Sequence, residues 1–467
     1  MSFSEFLESR RSAARALAAQ LQQRFAYVSV LGADITARSV RVDRSTSGIN
    51  PGRDTECGFV VKLSNGGAFF EYSLDDIAGD PAALAAQIAD AFALEKALLD
   101  EAITGTVPAD EPLVQSFSRE NDLAEFSEQQ LLDFCRQQKD ALLAESENVL
   151  NAVVILGSFE VSKLFVTPNR ELDQNYAWIN GTMVVVYKEN DKVVQSFEGA
   201  ASHRMADVLE ELPALRGKLL KKAHMLTTAK PVTPGVYDVI TDPSITGLIA
   251  HEAFGHGVEL DQFVKDRALA KQYVGKYVAS PIVNMRDGAA STVSAASYFF
   301  DDDGVLAGDT QIIKDGILAA GISDLASASQ LGLAPTGNGR RESLRRKAYS
   351  RMTNTFFEKG TDKLEDMIAS IQHGYMLFET NNGMEDPKNW AIQCVAEYGI
   401  EIVDGKLTEN VVSPVVMSGY VPELLCSISM ISDEVKITGA GSCGKGYKEW
   451  VRVSDGGPAL KVKVKLG

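Results

Sequence analysis

Two histidines flank a glutamate in the segment His251-Glu252-Ala253-Phe254-Gly255-His256, the clearest candidate for chemistry in this chain. In hydrolytic zinc sites, imidazoles on one helix bind the metal and a glutamate accepts a proton from the metal-bound water. The histidines of the common HExxH pattern are four residues apart, which places them about 40° apart around a helix. His251 and His256 are five apart, which corresponds to about 140° on a regular helix.

This spacing predicts a local irregularity of the helix around residues 254–257. A one-residue bulge of the π type would return His256 to the side of His251. Gly255 and Gly257 bracket the second histidine, and glycine departs from regular backbone geometry at the lowest cost. Without such a bulge, the two histidines would be ordinary core or surface residues that share no metal.

The residues before the motif predict the elements that position it. Residues 237–240 indicate a strand, residues 241–244 a tight turn, and residues 247–250 the start of a helix. Asp242 or Ser244 is the expected N-cap, and Pro243 suits the first helical turn. A buried helix that carries two histidines and a glutamate needs partners for these polar groups, and a metal would supply them.

A catalytic zinc ion needs a third protein ligand and one open position for water. Glu259, three residues after His256, is one candidate. Cys443 is the stronger candidate, because the glycine-rich loop 439–446 leaves little side-chain volume to pack around a thiol and can approach another element closely. With Cys443 as the ligand, Glu259 and Asp261 are expected to orient the imidazoles; otherwise they are exposed acids at a helix end.

Other polar residues carry weaker functional signals. Arg351 and Asn354 lie in segment 351–355, where such residues either hold backbone in place or contact substrate. The acidic run 301–303 predicts a solvated turn, because it lacks the later acidic positions of a calcium loop. The remaining histidines lie in helical patterns without metal-binding companions: His203, His224 and His373.

The chain has 467 residues, of which 45% are apolar and 23% charged, and this composition is typical of a globular protein with more than one domain. Apolar periodicity predicts helices at 4–24, 80–104, 128–146 and 204–225. Alternation predicts paired strands within 26–42, a hairpin of strands 59–63 and 68–72 joined by a turn, and strands at 149–156 and 182–187. Residues 227–235, with two prolines and a glycine, are the clearest linker. We therefore predict domains 1–228 and 229–467.

The predicted fold class is α+β. Helices should cover one face of a mainly antiparallel sheet in the first domain. The second domain should be mixed and mainly β, with a helix near 361–373 and the metal-binding helix within it. Its short strands should be broken by turns at Asp303-Gly304, Asp315-Gly316, Asn382-Gly383 and Asp404-Gly405.

Charge and hydropathy exclude several classes of function. A net charge of −17 disfavours nucleic acid and anionic membranes and suits a cationic or neutral peptide. No apolar run approaches the roughly 20 residues of a membrane span, and the N-terminus lacks the apolar segment of a signal peptide. Five widely spaced cysteines indicate no disulfide framework, so the expected location is the cytoplasm.

Four segments together resemble the TldD/PmbA family, whose members were once called modulators of DNA gyrase. These segments are Pro234-Gly235, residues 251–259 with the histidine motif, residues 351–355, and the loop 441–445. The resemblance covers essentially the whole chain. Because PmbA (TldE)-like members lack the metal motif, the chain is similar to the TldD-type catalytic partner.

The resemblance implies a zinc metallopeptidase in which His251, His256 and Cys443 bind Zn²⁺ and Glu252 is the catalytic base. It also implies unfolded protein or peptide substrates, including peptide-antibiotic precursors, bound as an added strand in an internal cleft. The implied partner is a PmbA/TldE-like paralogue in a heterodimer, or a second copy in a homodimer.

Two other functions remain open from the residues alone. The chain could be a regulatory binding protein whose zinc only stabilises the second domain, with Glu259 as a fourth ligand and no task for Glu252. It could also be a zinc amidase that acts on a non-peptide substrate.

Overall fold

The fold is that of a computed structural model, which describes residues 3–52, 54–66, 68–96, 105–107, 109–189, 191–438, 441–446 and 448–467. The α-helices are Glu5–Gln22 (α1), Pro81–Lys96 (α2), Glu128–Glu145 (α3), Met205–Ala214 (α4), Arg216–Thr228 (α5), Pro243–Leu248 (α6), Leu260–Val264 (α7), Leu325–Leu331 (α8), Leu364–Ala369 (α9) and Val421–Cys426 (α10).

The first eight strands belong to the N-terminal half. They are Tyr27–Val42 (β1), Ser47–Pro51 (β2), Glu56–Ser64 (β3), Phe70–Leu74 (β4), Leu113–Ser118 (β5), Val149–Val166 (β6), Arg170–Glu189 (β7) and Lys192–Ser202 (β8). They form one sheet in the order β4-β3-β1-β6-β7-β5, with β2 beside β1 and β8 beside β7. Only the β5–β7 pair is parallel among these described strands.

Both faces of this sheet are covered, and the period-two alternation of β1 determines what packs on each face. Val28 and Val30 pack with residues of α1 and α2. Leu31, which points to the opposite face, packs with Phe300 from the second half of the chain. The helices therefore lie on one face, as predicted, and the second half of the chain covers the other.

Most predicted elements of the first half are present, with differences in extent. α3 begins at a capping box in which the Ser127 and Gln130 side chains satisfy each other's backbone N–H groups. The predicted helix 204–225 is two helices that meet at Leu215. The alternating residues 26–42 form one long strand rather than a pair. Of the predicted helix 80–104, residues 97–104 lie outside the described part of the chain.

The strands of the second half are Gly235–Thr241 (β9), Met285–Asp287 (β10), Thr310–Lys314 (β11), Ile317–Leu318 (β12), Gly339–Arg340 (β13), Tyr349–Ser350 (β14), Asn354–Phe357 (β15), His373–Asp386 (β16), Ala391–Val403 (β17), Lys406–Val412 (β18), Val415–Tyr420 (β19), Met430–Ile431 (β20), Lys436–Ile437 (β21), Gly441–Lys445 (β22), Lys448–Gly457 (β23) and Leu460–Leu466 (β24). β16, β9, β24, β19 and β17 pair in a closed ring, because β17 also pairs with β16. The alternation Leu-Lys-Val-Lys-Val-Lys-Leu of β24 places its apolar residues in the core.

A second sheet of this half has the order β12-β11-β10-β15-β23-β21, with β22 beside β23. α6 and the residues after it contact β15 and β23 of this sheet and β16 and β17 of the ring. The motif segment therefore lies between two sheets, which makes its surroundings dry.

The prediction of uniformly short strands is wrong, because β16 has 14 residues and β17 has 13. Asp315-Gly316 and Asp404-Gly405 do form turns with positive φ angles. Asn382-Gly383, which was predicted to be a turn, lies inside β16 instead. His373 begins the same strand and contacts Glu401, so its predicted helical setting is also wrong.

The prediction of a solvated turn at residues 301–303 is wrong, because all three aspartates are buried. Two of them pair with lysines of the N-terminal sheet, Asp303 with Lys62 and Asp302 with Lys163. Asp301 accepts hydrogen bonds from three backbone N–H groups. The sequence pattern could not reveal this, since the compensating lysines lie more than 130 residues earlier in the chain.

None of the helices within the described ranges is both long enough and apolar enough to cross a membrane.

Candidate metal centre

The segment that carries the two histidines leaves α-helical geometry at Ile249, earlier than the predicted residues 254–257. Asp242 caps α6 by accepting a 2.8 Å hydrogen bond from the Ile245 N–H, and Pro243 follows directly. Residues Ile249–Gly255 then form a π-helix, in which the His256 N–H donates to the His251 carbonyl. The extra residue in this turn brings the two histidines to one side, with ring centroids 5.2 Å apart. The predicted π-type bulge is confirmed.

The reason for one bracketing glycine differs from the prediction. Gly255 has φ −59° and ψ −55°, which are ordinary helical angles. A Cβ at this position would lie 1.9 Å from the Met352 sulfur. Gly255 is therefore required for close packing against the Met352 side chain rather than for backbone freedom.

His251, His256 and Cys443 converge, with their ligand atoms all within 4.8 Å of one another. The His256 Nε2 and Cys443 Sγ atoms are 3.1 Å apart. Donors around a tetrahedral zinc ion are about 3.3–3.6 Å apart, given the usual bond lengths. Two imidazoles and a thiolate are a donor set that zinc accepts, so these residues fit a metal of this kind.

Cys443 lies on β22, opposite Val451 of β23. The hairpin of β22 and β23 brings it from 187 residues further along the chain to His256. Burial alone would raise the pKa of the Cys443 thiol, but His251 and His256 lower it to about 4. Burial lowers the pKa of His256, yet Cys443 and Glu259 raise it well above its usual value. The site thus favours the thiolate, the form in which cysteine binds metals.

Glu259 links the His256 imidazole to two cations. Its Oε2 atom is 3.2 Å from His256 Nδ1 and 3.2 Å from Lys445 Nζ. Its Oε1 atom accepts a 3.0 Å hydrogen bond from Arg351 Nε. Burial alone would raise the pKa of Glu259, but Lys445, His256 and Arg351 lower it well below its usual range. A carboxylate held in this way fixes the orientation of the imidazole ring.

Of the other candidate residues, Arg351 and Asp261 support the centre, whereas Asn354 does not. Arg351 is fully buried and donates to both the carbonyl and the sulfur of Cys443, each at 3.1 Å. Asp261 accepts a 2.7 Å hydrogen bond from Lys445, which in turn contacts Glu259. Asp261 is thus linked to the His256 imidazole only through Lys445 and Glu259 among the described residues. Asn354 donates to backbone and hydroxyl oxygens of residues 288–297, so it organises a loop and contacts none of the three converging side chains.

Glu252 is half-buried beside His251. Among the described residues, no hydrogen bond or ion pair engages its carboxylate, in contrast with Glu259. Its side chain passes over Gly383 of β16, where an added Cβ would lie 2.6 Å from Glu252 Cγ. The Asn-Gly pair inside a strand thus has a physical reason, since the glycine provides room for this side chain.

Sequence reasoning missed two acidic residues that border the centre. Neither carboxylate oxygen of Glu385 has a hydrogen-bond partner among the described residues, and burial raises its pKa well above the usual value. A Cβ at Gly257 would lie 2.9 Å from Glu385 Oε1. Burial also raises the pKa of Asp455 to about 6, an effect that the nearby His251 partly offsets. No local pattern marks either residue, because both lie on strands distant in sequence from the motif.

The second half of the chain matches the family model of the PmbA/TldA metallopeptidase C-terminal domain over residues 234–466. A metalloprotease of Synechocystis is 30% identical over 331 residues, which cover 70% of this chain and 71% of that protein. A zinc metalloprotease TldD homologue of Saccharolobus solfataricus is 29% identical over 65% of this chain and 68% of that protein. A metalloprotease TldD homologue of Haemophilus influenzae is 32% identical, but the match spans only half of each chain (52% and 50%).

Solved structures share the fold along nearly the full length. A Thermotoga maritima protein, a candidate modulator of DNA gyrase, has a TM-score of 0.77 at 16% identity and covers 99% of this chain and 100% of its own. TldE from Thermococcus kodakarensis has a TM-score of 0.74 at 18% identity and covers 97% of this chain and 100% of its own. At such identities the likeness concerns the fold alone.

Proposed function

The chain belongs to the TldD/PmbA family of metallopeptidases, and from this premise we propose that it is a zinc-dependent hydrolase of unfolded proteins and peptides. The observation that carries the proposal is the convergence of His251, His256 and Cys443 beside the unengaged carboxylate of Glu252.

In this proposal the three converging side chains hold the metal. A bound zinc ion lowers the pKa of a coordinated water to about 7 and polarises the carbonyl of a substrate. Glu259 holds the His256 Nδ1 proton, so that Nε2 faces Cys443. Arg351 keeps the thiolate and Glu259 in place through its hydrogen bonds to both.

Glu252 is the proposed base. Its carboxylate accepts a proton from the attacking water and delivers it to the nitrogen of the leaving amine. The side chain suits this task because it adjoins His251 and is free of competing partners within the described ranges. Glu259, by contrast, is committed to its neighbours through both oxygens.

The same contacts argue against a purely structural zinc site. A structural site needs a fourth protein ligand, for which Glu259 was the candidate. Both oxygens of Glu259 face His256, Lys445 and Arg351 instead. Within the part of the chain that the structure describes, the metal-binding group comprises His251, His256 and Cys443 alone. This supports a position left open for water.

A dimer forms part of the proposal. The similarity in fold to TldE supports pairing with a paralogue of that type, with a homodimer as the alternative. Such a partner would enclose the cleft in which a peptide binds as an added strand.

Metal removal tests the proposal. The purified chain, alone and mixed with its paralogue, is assayed on an unfolded polypeptide before and after dialysis against a chelator. We expect cleavage to stop with the loss of about one zinc per chain and to return when one equivalent of zinc is added. Full cleavage by metal-free protein, or no cleavage by the zinc-loaded complex, would contradict the proposal.

A further inference from the structure

A cavity of about 720 Å³ lies between the N-terminal sheet and the second half of the chain. β6 and β7 contribute Phe159, Tyr176 and Trp178 to one wall, and residues 295–302 form another. The volume lies within the range of small-ligand sites, about 300–1,000 Å³. The cavity can therefore accept part of a peptide.

The cavity shares the β22–β23 hairpin with the metal centre. Ser442 and Arg452 face each other across the hairpin and line the cavity. The next pair along is Cys443 and Val451. Adjacent residues of a strand are about 3.3 Å apart along its axis and point to opposite faces, so the cavity and the Cys443 side chain lie on the two sides of one hairpin.

Arg452 is a half-buried cation whose nearest carboxylate among the described residues belongs to an exposed side chain. Its guanidinium group lies 3.5 Å from the centre of the Phe159 ring, and its side chain is 18% exposed. Asp54 is the nearest carboxylate, at 3.9 Å, and 63% of the Asp54 side chain is exposed. Among the described residues, the guanidinium donates no hydrogen bond. Burial lowers the Arg452 pKa to about 10.

Arg340 is a second cation in the same wall. It donates one hydrogen bond, of 2.6 Å, to the Met352 carbonyl, and its guanidinium lies 5.5 Å from the centre of the Tyr298 ring. No carboxylate among the described residues lies within 4.0 Å of it. The Arg452 guanidinium lies against the Phe159 ring, whereas Arg340 lies further from the Tyr298 ring. The N–H groups of a guanidinium lie in its plane, so contact through one face leaves them available at its edges.

Four acids of the lining besides Asp54 have partners other than these arginines. Glu342 accepts the Glu449 N–H and lies 3.9 Å from Arg346. Asp302 pairs with Lys163 and accepts the Arg341 N–H. Glu56 accepts the Leu344 N–H. Asp301 accepts backbone N–H groups, and burial raises its pKa well above the usual value, which favours the neutral acid.

We infer that this cavity binds a carboxylate of the peptide substrate, either an acidic side chain or the C-terminus, with Arg452 as the principal cation and Arg340 as the second. Guanidinium groups bind carboxylates through paired N–H···O bonds, and the aromatic walls accept the apolar parts of adjoining residues. The inference rests on the proposed function for the identity of the ligand as a peptide.

The net charge of the chain and the charges in the cavity favour different peptides. A charge of −17 favours a cationic or neutral peptide over the surface as a whole. Inside the cavity, the cations without close partners determine the preference. The surface charge would then slow the approach of an acidic peptide at low ionic strength, while the cavity selects it once bound.

Tryptophan fluorescence provides a direct test, since Trp178 and Trp450 line the cavity and Trp390 is buried. The full-length chain, zinc-loaded and carrying Glu252→Gln to prevent turnover, is titrated with three short acetylated peptides of Gly, Ser and Ala. One has a central Glu and an amidated C-terminus, one a central Gln and an amidated C-terminus, and one a central Gln with a free C-terminus.

We expect at least one charged peptide to bind about tenfold more tightly than the neutral one, which corresponds to about 1.4 kcal/mol. The peptide that shows the preference identifies the source of the carboxylate. Arg452→Gln should abolish the preference. Arg452→Lys should keep part of it, because the ammonium retains the charge but not the planar fork. The matched control is Arg345→Gln, whose side chain is 78% exposed and pairs with Asp75 outside the cavity.

Equal binding of all three peptides, no binding of any, or a preference that survives Arg452→Gln would overturn the inference. Zinc content and thermal unfolding of each variant verify that it is folded. The outcome is distinguishable from failure of the proposed function. Cleavage of unfolded polypeptide without any effect of Arg452→Gln would refute the cavity alone, whereas selective binding without cleavage would refute the peptidase alone.

Discussion

In the candidate metal centre, Glu259 contacts Arg351, Lys445 and His256, whereas in the neighbouring cavity the nearest carboxylate to Arg452 among the described residues is that of Asp54, at 3.9 Å. Both regions border one hairpin, and both contain charges partly or fully removed from water. Holding such a charge away from water is costly unless a partner compensates, and the exposed Asp54 compensates Arg452 weakly. The tightly paired region is suited to hold an ion in fixed geometry, and the weakly paired one is suited to receive a group that arrives and leaves.

The largest expected effect is the loss of bound zinc when the Cys443 thiolate is removed. Cys443→Ala deletes the only ligand supplied by β22, so we expect the loss of nearly all bound zinc, measured by elemental analysis after dialysis. Cys426→Ala, which removes an exposed thiol, is the control and should keep the metal. Full zinc retention in Cys443→Ala would contradict the assignment. Binding of the acidic peptide should survive, since the cavity residues remain.

A second prediction concerns the stability that the paired carboxylate of Glu71, beside the cavity, gives to the folded chain. Glu71 contacts Lys62 and Arg341, each at 2.9 Å. Burial alone would raise the Glu71 pKa, but these cations lower it to about 2. Because the folded-state pKa lies below the unfolded one, this contribution is present above about pH 4.5 and is lost as pH falls towards 2. Glu71→Gln should lower the free energy of unfolding at pH 7 by about 3 kcal/mol.

Chemical denaturation at several pH values measures this effect. The difference between wild type and Glu71→Gln should shrink as the pH decreases through this window. Glu128→Gln, at a side chain that is 66% exposed, should change the free energy of unfolding by less than about 0.5 kcal/mol. A constant difference at all pH values would show that the loss has another cause.

A smaller effect, on the rate of peptide cleavage, is expected from a substitution at Gly383, which contacts the Glu252 side chain. In Gly383→Ala, the added Cβ would meet Glu252 Cγ at 2.6 Å and displace the proposed base from the proposed metal ligands. We expect kcat for peptide cleavage to fall about tenfold with zinc content unchanged, because small misplacements of a catalytic group are costly. Gly419→Ala, in β19 of the same ring, has open space around its Cβ and should leave kcat unaffected.

The sequence predicts the local features of the site well. The cap at Asp242 and the π-helical turn follow from short patterns, because each depends on nearby residue types. Period-two alternation likewise predicts the N-terminal sheet and its helical face. The convergence of Cys443 with the histidines is different, because the two segments are 187 residues apart and the prediction came from the donors that a zinc site needs.

Features that depend on distant partners could not be predicted. Asp302 resembles a solvent-exposed turn residue until Lys163 is brought to it, and Glu385 is an ordinary strand residue until β16 passes the motif. Gly383 indicates a turn unless the Glu252 side chain is known to need its space. In each case tertiary contacts overrode a local preference.

Glu252 is the proposed base of a zinc-dependent peptide hydrolysis. Wild type and Glu252→Gln, each with its paralogue, are compared for zinc content and for cleavage of one unfolded polypeptide. The substitution keeps the shape of the side chain but removes the proton acceptor. We predict unchanged zinc and cleavage at least about a hundredfold slower. Equal cleavage rates at equal zinc content would rule out Glu252 as the base.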